Sequence, residues 1–186
     1  FLNYETSAWA AAAGDLAEAV KAFTKEKYGV EVKTKVTAEQ IAKVRAAQFK
    51  EANEKFAADD YAGAVEAYLA VLARYPAVQE SIAAVERVAS ALVDLSIEAK
   101  NAKNEAKSAD CRLDADAVEG YLAERFAGAK QKLLMTSAGD AVVRLAKKEI
   151  DYKNEAAADR LYMMFLDNYR SHSMAPNVAA ARASEL

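Results

Sequence analysis

His172 and Cys111 are the only histidine and the only cysteine in the chain. These residue types often serve as metal ligands or nucleophiles, but zinc sites combine several such ligands and a cysteine nucleophile needs a base nearby. His172 follows a helix in a polar segment, where we expect it to bind water or a backbone carbonyl. Cys111 lies between Asp110 and Arg112 and is predicted to be an ordinary, partly exposed thiol without an internal disulfide. The sequence therefore predicts no catalytic residue and no metal ligand.

Four acidic residues lie close together in the sequence, at Asp110, Asp114, Asp116 and Glu119. Clustered carboxylates can bind calcium, but a calcium loop also needs a glycine at its sharp turn and a full series of oxygen ligands. We interpret the cluster instead as capping and favourable helix-dipole charges at the start of a helix, with Asp110 or Asp114 as the N-cap.

The composition predicts an almost entirely helical protein. Its 186 residues include six glycines and two prolines, and 53% of them are hydrophobic, with alanine abundant. The 25 basic and 28 acidic residues are interspersed, giving a net charge of -3 without the basic stripe of a nucleic-acid-binding surface. No apolar run approaches the roughly 18 residues of a transmembrane helix. We expect no cofactor, no nucleic-acid partner, no transmembrane segment and no small-molecule substrate.

Apolar residues at helical spacing outline a series of helices. A short helix is predicted over residues 3–13, and a helix without any internal breaker over 77–106. Residues 30–36 alternate with a period of two and are the only strand-like segment in the sequence. This segment is either an extended linker that packs three valines or a strand that pairs with the sheet of a partner.

A short phrase recurs along these helices. Residues 64–69 read Ala-Val-Glu-Ala-Tyr-Leu, and residues 117–122 read Ala-Val-Glu-Gly-Tyr-Leu. A small residue followed four positions later by an aromatic one also occurs at Ala19 and Ala158. Around the last copy the match extends without gaps over a whole hairpin: Phe49, Ala52, Phe56, Ala64, Tyr68, Leu72 and Tyr75 align with Val143, Ala146, Ile150, Ala158, Tyr162, Leu166 and Tyr169. Such recurrence is typical of stacked helical hairpins.

The segment 56–76 resembles the second half of a tetratricopeptide repeat. Ala64 matches the small residue of this family, Tyr68 matches its aromatic residue four positions later, and Pro76 matches its terminal proline. A small side chain lets the paired helices approach closely, and proline ends the second helix. The resemblance implies stacked hairpins that bind a protein or peptide.

The resemblance also implies where a partner would bind, because the inner face of such an array is lined by the first helix of each hairpin. Those helices include residues 38–58 and 141–150. Their polar residues Arg45, Gln48, Arg144 and Lys147 are therefore predicted to contact a protein partner. The alternative is that these four residues are ordinary solvated surface.

The expected fold is all-α, with antiparallel helical hairpins stacked as a tetratricopeptide-like α-solenoid and one short extended segment near 30–36. Residues 1–186 are expected to form a single repeat domain, with hairpins at roughly 3–28, 38–75, 77–127 and 137–170. Because the chain starts with Phe1, we expect a processed or partial protein.

The expected function is a non-enzymatic protein–protein interaction scaffold, or a structural subunit of a larger assembly. A small all-α ligand-binding or enzymatic domain is one alternative, and it would need buried ionisable residues. An elongated spectrin-like bundle is another, favoured by the long helix over 77–106. The helix ending at 166–169 resembles that of bacterial envelope members of the family, which implies a secreted or periplasmic location, with an organelle complex as the alternative.

Overall fold

The structure is a computed structural model, and it describes residue 26 and residues 38–76, 79–127, 129 and 132–185. The chain divides into two compact units, Phe1–Lys43 and Val44–Leu186. The predicted helix over 3–13, the strand-like segment 30–36 and the predicted hairpin 3–28, apart from Glu26, lie outside the described residues. The described helices belong to the second unit, except that the first of them begins in the unit before it.

Seven α-helices, and no β-strand, occur in the part of the chain that the structure describes, which confirms the predicted all-α class. They are α1 (Ala38–Ala57), α2 (Tyr61–Arg74), α3 (Gln79–Asn101), α4 (Glu105–Arg125), α5 (Lys132–Asp151), α6 (Glu155–Asn168) and α7 (Ala175–Glu185).

The turns after α1, α3 and α5 share one backbone conformation. Each contains a residue with a φ of 59°, in the left-handed region that side chains other than glycine rarely adopt, at Asp59, Lys103 and Lys153. The next residue in each turn donates its backbone N–H to a carbonyl in the last turn of the preceding helix, as in a Schellman motif: Asp60 to Lys55, Asn104 to Ala99, and Asn154 to Glu149. The same device therefore reverses the chain three times.

The unbroken helix predicted over 77–106 is wrong, because α3 ends at Asn101 and α4 begins at Glu105. Lys103 takes the left-handed conformation, and the side chain of Asn104 accepts a hydrogen bond from the backbone N–H of Lys107 at 3.1 Å. Asn104 is therefore the N-cap of α4. The predicted caps, Asp110 and Asp114, lie within the helix instead.

The first and third described hairpins have matching dimensions. Helices α1 and α5 have 20 residues each, and α2 and α6 have 14 residues each. Both hairpins end at a tyrosine, where the backbone N–H of Tyr75 bonds to Val71 and that of Tyr169 bonds to Phe165. These helix bounds coincide with the gap-free alignment found in the sequence.

Each helix from α2 to α7 packs against the next one in the chain, and α3 also contacts α5, as α4 contacts α6. One group of buried residues includes Tyr68 and takes in parts of α1, α2 and α3 together with Ala115 of α4. A second group centres on Phe165 and extends from α3 to α7. Because α3 and α4 contribute to both groups, they connect the first hairpin to the rest of the unit.

Two of the repeated small residues, Ala64 and Ala158, are fully buried, whereas Ala117, which begins the copy at 117–122, is exposed. Ala64 and Ala158 have no solvent-accessible surface, and the aromatic residues four positions later, Tyr68 and Tyr162, are also buried. A larger side chain at either alanine would have to displace a neighbouring helix, because protein cores are packed as densely as organic crystals.

Substituting leucine at these alanines should destabilise the protein. We expect Ala64→Leu and Ala158→Leu each to lower the free energy of unfolding by about 1–3 kcal/mol through overpacking. The matched controls, Ala62→Leu and Ala156→Leu, place the same side chain at exposed positions of the same helices and should change it by less than about 0.5 kcal/mol. Urea unfolding followed by circular dichroism measures the difference. Equal effects at buried and exposed alanines would contradict the close packing.

Candidate functional site

A row of ion pairs connects α3 to α1 and α5. Arg45 on α1 bonds to Glu80 at 3.1 Å. Arg144 on α5 makes a two-pronged bond to Glu86, at 2.6 and 2.7 Å. Lys148 bonds to Asp94 at 2.7 Å and also reaches Ser90. The basic residues of α1 and α5 on this side thus neutralise acidic residues of α3; we call these contacts the ion-pair row.

The four residues predicted to contact a partner fall into two pairs. Arg45 and Gln48 lie on α1, whereas Arg144 and Lys147 lie on α5. Both arginines are engaged in the ion-pair row, Gln48 is half-buried, and Lys147 is exposed. Arg45 Nε and Gln48 Oε1 are buried without a hydrogen-bond partner among the described residues. Lys147 is therefore the one of the four whose charge is both exposed and outside the ion-pair row.

A polar network joins the first hairpin to α3. The hydroxyl of Tyr68 donates to Asn53 at 2.6 Å, and Arg87 donates to both of them. Burial raises the pKa of Tyr68, and Arg87 opposes that shift. The network satisfies the one polar group of a side chain that otherwise fills the core between α1, α2 and α3.

Two buried glutamates lie between α4, α5 and α6. Glu119 has no accessible surface, and Glu149 is 1% exposed. Arg112 donates to Glu149 at 2.5 Å and to Glu119 at 3.2 Å. Arg160 on α6 donates to Glu119 at 2.6 Å and to Asp116 at 2.8 Å. These five side chains form what we call the buried charge cluster, which ties three helices together.

The buried charge cluster sets two guanidinium groups against three carboxylates. Burial raises the pKa of Glu119 to about 7; Arg112 and Arg160 oppose this shift, and the charge of Glu149 reinforces it. At Asp116 the same two arginines outweigh the effect of burial and lower the pKa of the carboxyl. The cluster is therefore closest to electrical neutrality when Glu119 holds a proton.

The buried charge cluster differs from the sequence-based expectation, which places Asp116 and Glu119 at a helix start. They lie in the middle of α4, one and two turns after Arg112 on the same side of the helix. In the sequence, this spacing could have indicated an ion pair between Arg112 and these carboxylates. Nothing local indicated the other partners, Glu149 and Arg160, which are remote in sequence and reach the cluster from other helices.

A cavity of about 430 Å³ opens beside the buried charge cluster, between α3, α4 and the turn after α5. Arg112, Glu149 and Asn154 are among its lining residues. The side chain of Asn154 donates to Glu149 at 2.8 Å, and Arg112 is engaged within the cluster. The charged groups of the cluster that face this cavity are thus already satisfied by one another.

An apolar groove lies on α3 between α2 and α4, with a volume of about 350 Å³. Its nine lining residues are Leu69, Leu72, Ala73, Pro76, Val85, Val88, Ala117, Val118 and Tyr121. Leu69 on one wall is 51% exposed, and Tyr121 on the other is 44% exposed. Helices α2 and α4 do not make the extensive contact that joins α4 to α6, which leaves this groove open.

His172 connects α5 to the turn that precedes α7. Its Nδ1 accepts from the backbone N–H of Met174 at 3.2 Å, so Nε2 carries the proton and donates to the carbonyl of Thr136 at 3.1 Å. This confirms the expected bond to a backbone carbonyl. A Cβ added to Gly139 would lie 2.9 Å from the imidazole ring, which explains why the helix carries glycine there.

Two further features, a metal-binding group and a membrane-spanning helix, are absent from the described residues. No group of three or more potential ligand side chains among them is arranged to hold a metal ion. None of the helices described here combines the length and apolar character needed to cross a bilayer.

The raised pKa of Glu119 predicts a characteristic pH dependence of stability. The folded state holds this proton up to about pH 7, whereas an ordinary glutamate in the unfolded chain loses it near 4.5, so stability falls as pH rises between these values. Glu119→Gln removes this titration. We therefore expect the stability of the variant, relative to wild type, to rise by roughly 1–3 kcal/mol between pH 4.5 and 7 in urea unfolding. The exposed control, Glu51→Gln, should show no such trend, and a flat difference for Glu119→Gln would refute the assignment.

The buried charge cluster and the ion-pair row should differ strongly in their effects on stability. Arg112→Met leaves buried carboxylates without their shared partner and should cost about 3–5 kcal/mol. Arg144→Met breaks an ion pair whose arginine is 58% exposed and should cost less than about 1 kcal/mol. Denaturant unfolding of both variants measures the two losses in the free energy of unfolding. Equal losses would contradict a larger contribution of the buried charge cluster to stability.

Comparison with protein-family models, with curated proteins and with solved structures finds no match to this chain.

Proposed function

We propose that this protein is a non-enzymatic interaction scaffold, a subunit of a larger protein assembly built from tetratricopeptide-like stacked hairpins. The observation that carries the proposal is the repetition of one hairpin design. Helices α1 and α2 have the lengths of α5 and α6, and all three described hairpins reverse through the same left-handed turn. Repeated hairpins of this kind create extended surfaces, and such surfaces serve mainly to bind other macromolecules.

The packing order of the helices also supports a stacked array. In a solenoid of hairpins each helix contacts the next one in the chain and the equivalent helix of the neighbouring hairpin. The contacts of α3 with α5, and of α4 with α6, follow this order, whereas α2 and α4 make no comparable contact among the described residues. Ala64 with Tyr68, and Ala158 with Tyr162, are buried, as the resemblance to the family implies for its small residue and its aromatic residue.

The two candidate binding surfaces differ in whether a partner would have to displace existing contacts. The face with Arg45, Gln48, Arg144 and Lys147 is the one that the family resemblance favours, but its two arginines are engaged with Glu80 and Glu86. A partner there would have to compete with existing ion pairs. The apolar groove between α2 and α4 requires no such exchange, because its apolar surface is exposed to water in the free chain.

A small all-α ligand-binding or enzymatic domain is the second candidate, since Glu119 and Glu149 supply the buried ionisable residues that it needs. The cavity beside them would be its site. Their bonds to Arg112, Arg160 and Asn154 leave little unsatisfied chemistry for a ligand, so a structural role fits these residues better. The spectrin-like bundle loses its main support, because the long helix over 77–106 is broken after Asn101.

Isolation of the untagged protein from its native source under mild conditions tests the scaffold proposal. We expect it to elute in a particle larger than its own chain, together with another protein in constant molar ratio across the peak. Size-exclusion chromatography with light scattering and mass spectrometry provides the measurement. Recovery solely as a free monomer would contradict a role as an assembly subunit.

A further inference from the structure

Charged residues at the two ends of the apolar groove differ in sign. On α4, Asp110, Asp114, Ala117 and Tyr121 follow one another at spacings of four, three and four residues. The two aspartates therefore continue the groove-lining side of the helix toward its start. Both aspartates are exposed and have no ion-pair partner among the described residues. One end of the α4 wall therefore presents two exposed negative charges.

Arg125 lies at the opposite end of the same wall, next to the exposed Glu124. Arg125 follows Tyr121 by one turn on this side of α4, is exposed, and has no ion pair within the described part of the chain. On the other wall, Glu66 precedes the groove-lining Leu69 by one turn and is also exposed. Since α2 and α4 each run antiparallel to α3 and thus parallel to one another, Glu66 lies toward the acidic end. The groove is therefore apolar in the middle, with Asp110, Asp114 and Glu66 toward one end and Arg125 at the other.

We infer that the apolar groove binds an amphipathic α-helix of a partner protein, with the basic, C-terminal part of that helix over Asp110 and Asp114. Apolar side chains at i, i+3, i+4 and i+7 of such a helix would cover Leu69 and Tyr121. Acidic residues in its first turn would lie near Arg125. This inference rests on the proposed scaffold function and names the kind of partner and its place.

The chemistry of helices favours this orientation. Acidic residues stabilise the first turn of a helix and basic residues stabilise the last turn, so a helix with this distribution is the more stable one. Laid in the groove, it runs antiparallel to α2 and α4 and parallel to α3. It would close the gap between α2 and α4 in the way that direct packing closes the gap between α4 and α6.

Two synthetic peptides of identical composition test the polarity of the groove. Both carry leucines along one helical face; the first has glutamates in its opening turns and lysines in its closing turns, and the second has these charges exchanged. Fluorescence anisotropy at low salt measures their binding to the whole protein. We expect the first peptide to bind at least about tenfold more tightly than the second.

Variants of exposed residues locate the binding surface. Leu69→Asp and Tyr121→Asp should each weaken the first peptide about tenfold or more, because they place a charge in the apolar groove. Leu133→Asp changes a residue that is 66% exposed and lies outside the groove, so it should alter binding by less than about twofold. Asp114→Lys should reduce the preference for the first peptide, whereas Glu51→Lys should not. Circular dichroism confirms that each variant remains folded.

Three results would overturn the inference. Equal affinities of the two peptides would exclude recognition by the charged ends. Equal effects of Leu69→Asp and Leu133→Asp would exclude the groove. Concentration-dependent dimerisation of the wild type, abolished by Leu69→Asp in sedimentation velocity, would identify a second copy of this chain as the occupant.

The inference can fail while the scaffold proposal stands. If the assembly isolated from the native source keeps its composition when the protein carries Leu69→Asp, a partner binds elsewhere and only the groove assignment is wrong. If the wild-type protein is recovered solely as a monomer, the scaffold function itself is wrong.

Discussion

The buried charge cluster is the constraint on which the packing of the later helices depends. Glu119 and Glu149 are carboxylates enclosed in the core, and burial of an unpaired carboxylate would cost several kcal/mol. Among the described residues Arg112 alone bonds to both, while Arg160 brings α6 to the same place. In the observed position of the third hairpin on the second, all these groups are paired. The apolar core around Phe165 holds the helices together, and the paired charges set their position relative to one another.

The surfaces of the protein follow from this arrangement. With α5 held beside α3, Arg144 and Lys148 reach Glu86 and Asp94, so the charges on that side pair with one another. With α6 held against α4, the apolar residues between those two helices are covered. No equivalent contact closes the gap between α2 and α4 in the described part of the chain, and Leu69 and Tyr121 remain exposed there. The groove is thus the place where the stacking of helices is left incomplete.

Helix content and the equivalence of the first and third hairpins could be predicted from the sequence, because both depend on local propensity and on spacing along one helix. The break after Asn101 could not, since it depends on Lys103 in a left-handed conformation followed by an asparagine cap, in a stretch free of glycine and proline. The burial of Glu119 and Glu149 could not be predicted from the sequence either. Their stability depends on partners from other helices, and acidic residues in a helix are usually solvated. The ion pairs of Arg45 and Arg144 with α3 could not be predicted either, because Glu80 and Glu86 are remote from them in the sequence.

Hydrogen–deuterium exchange of the protein with and without its isolated native partner tests most directly whether the groove is the binding surface. A helix bound in the groove would bury the outer sides of α2 and α4 and stabilise both helices against local opening. We expect slower exchange over residues 66–76 and 110–125, with little change in α5. Protection concentrated in α1 and α5, around Arg45 and Lys147, with none in α2 and α4, would contradict binding in the groove.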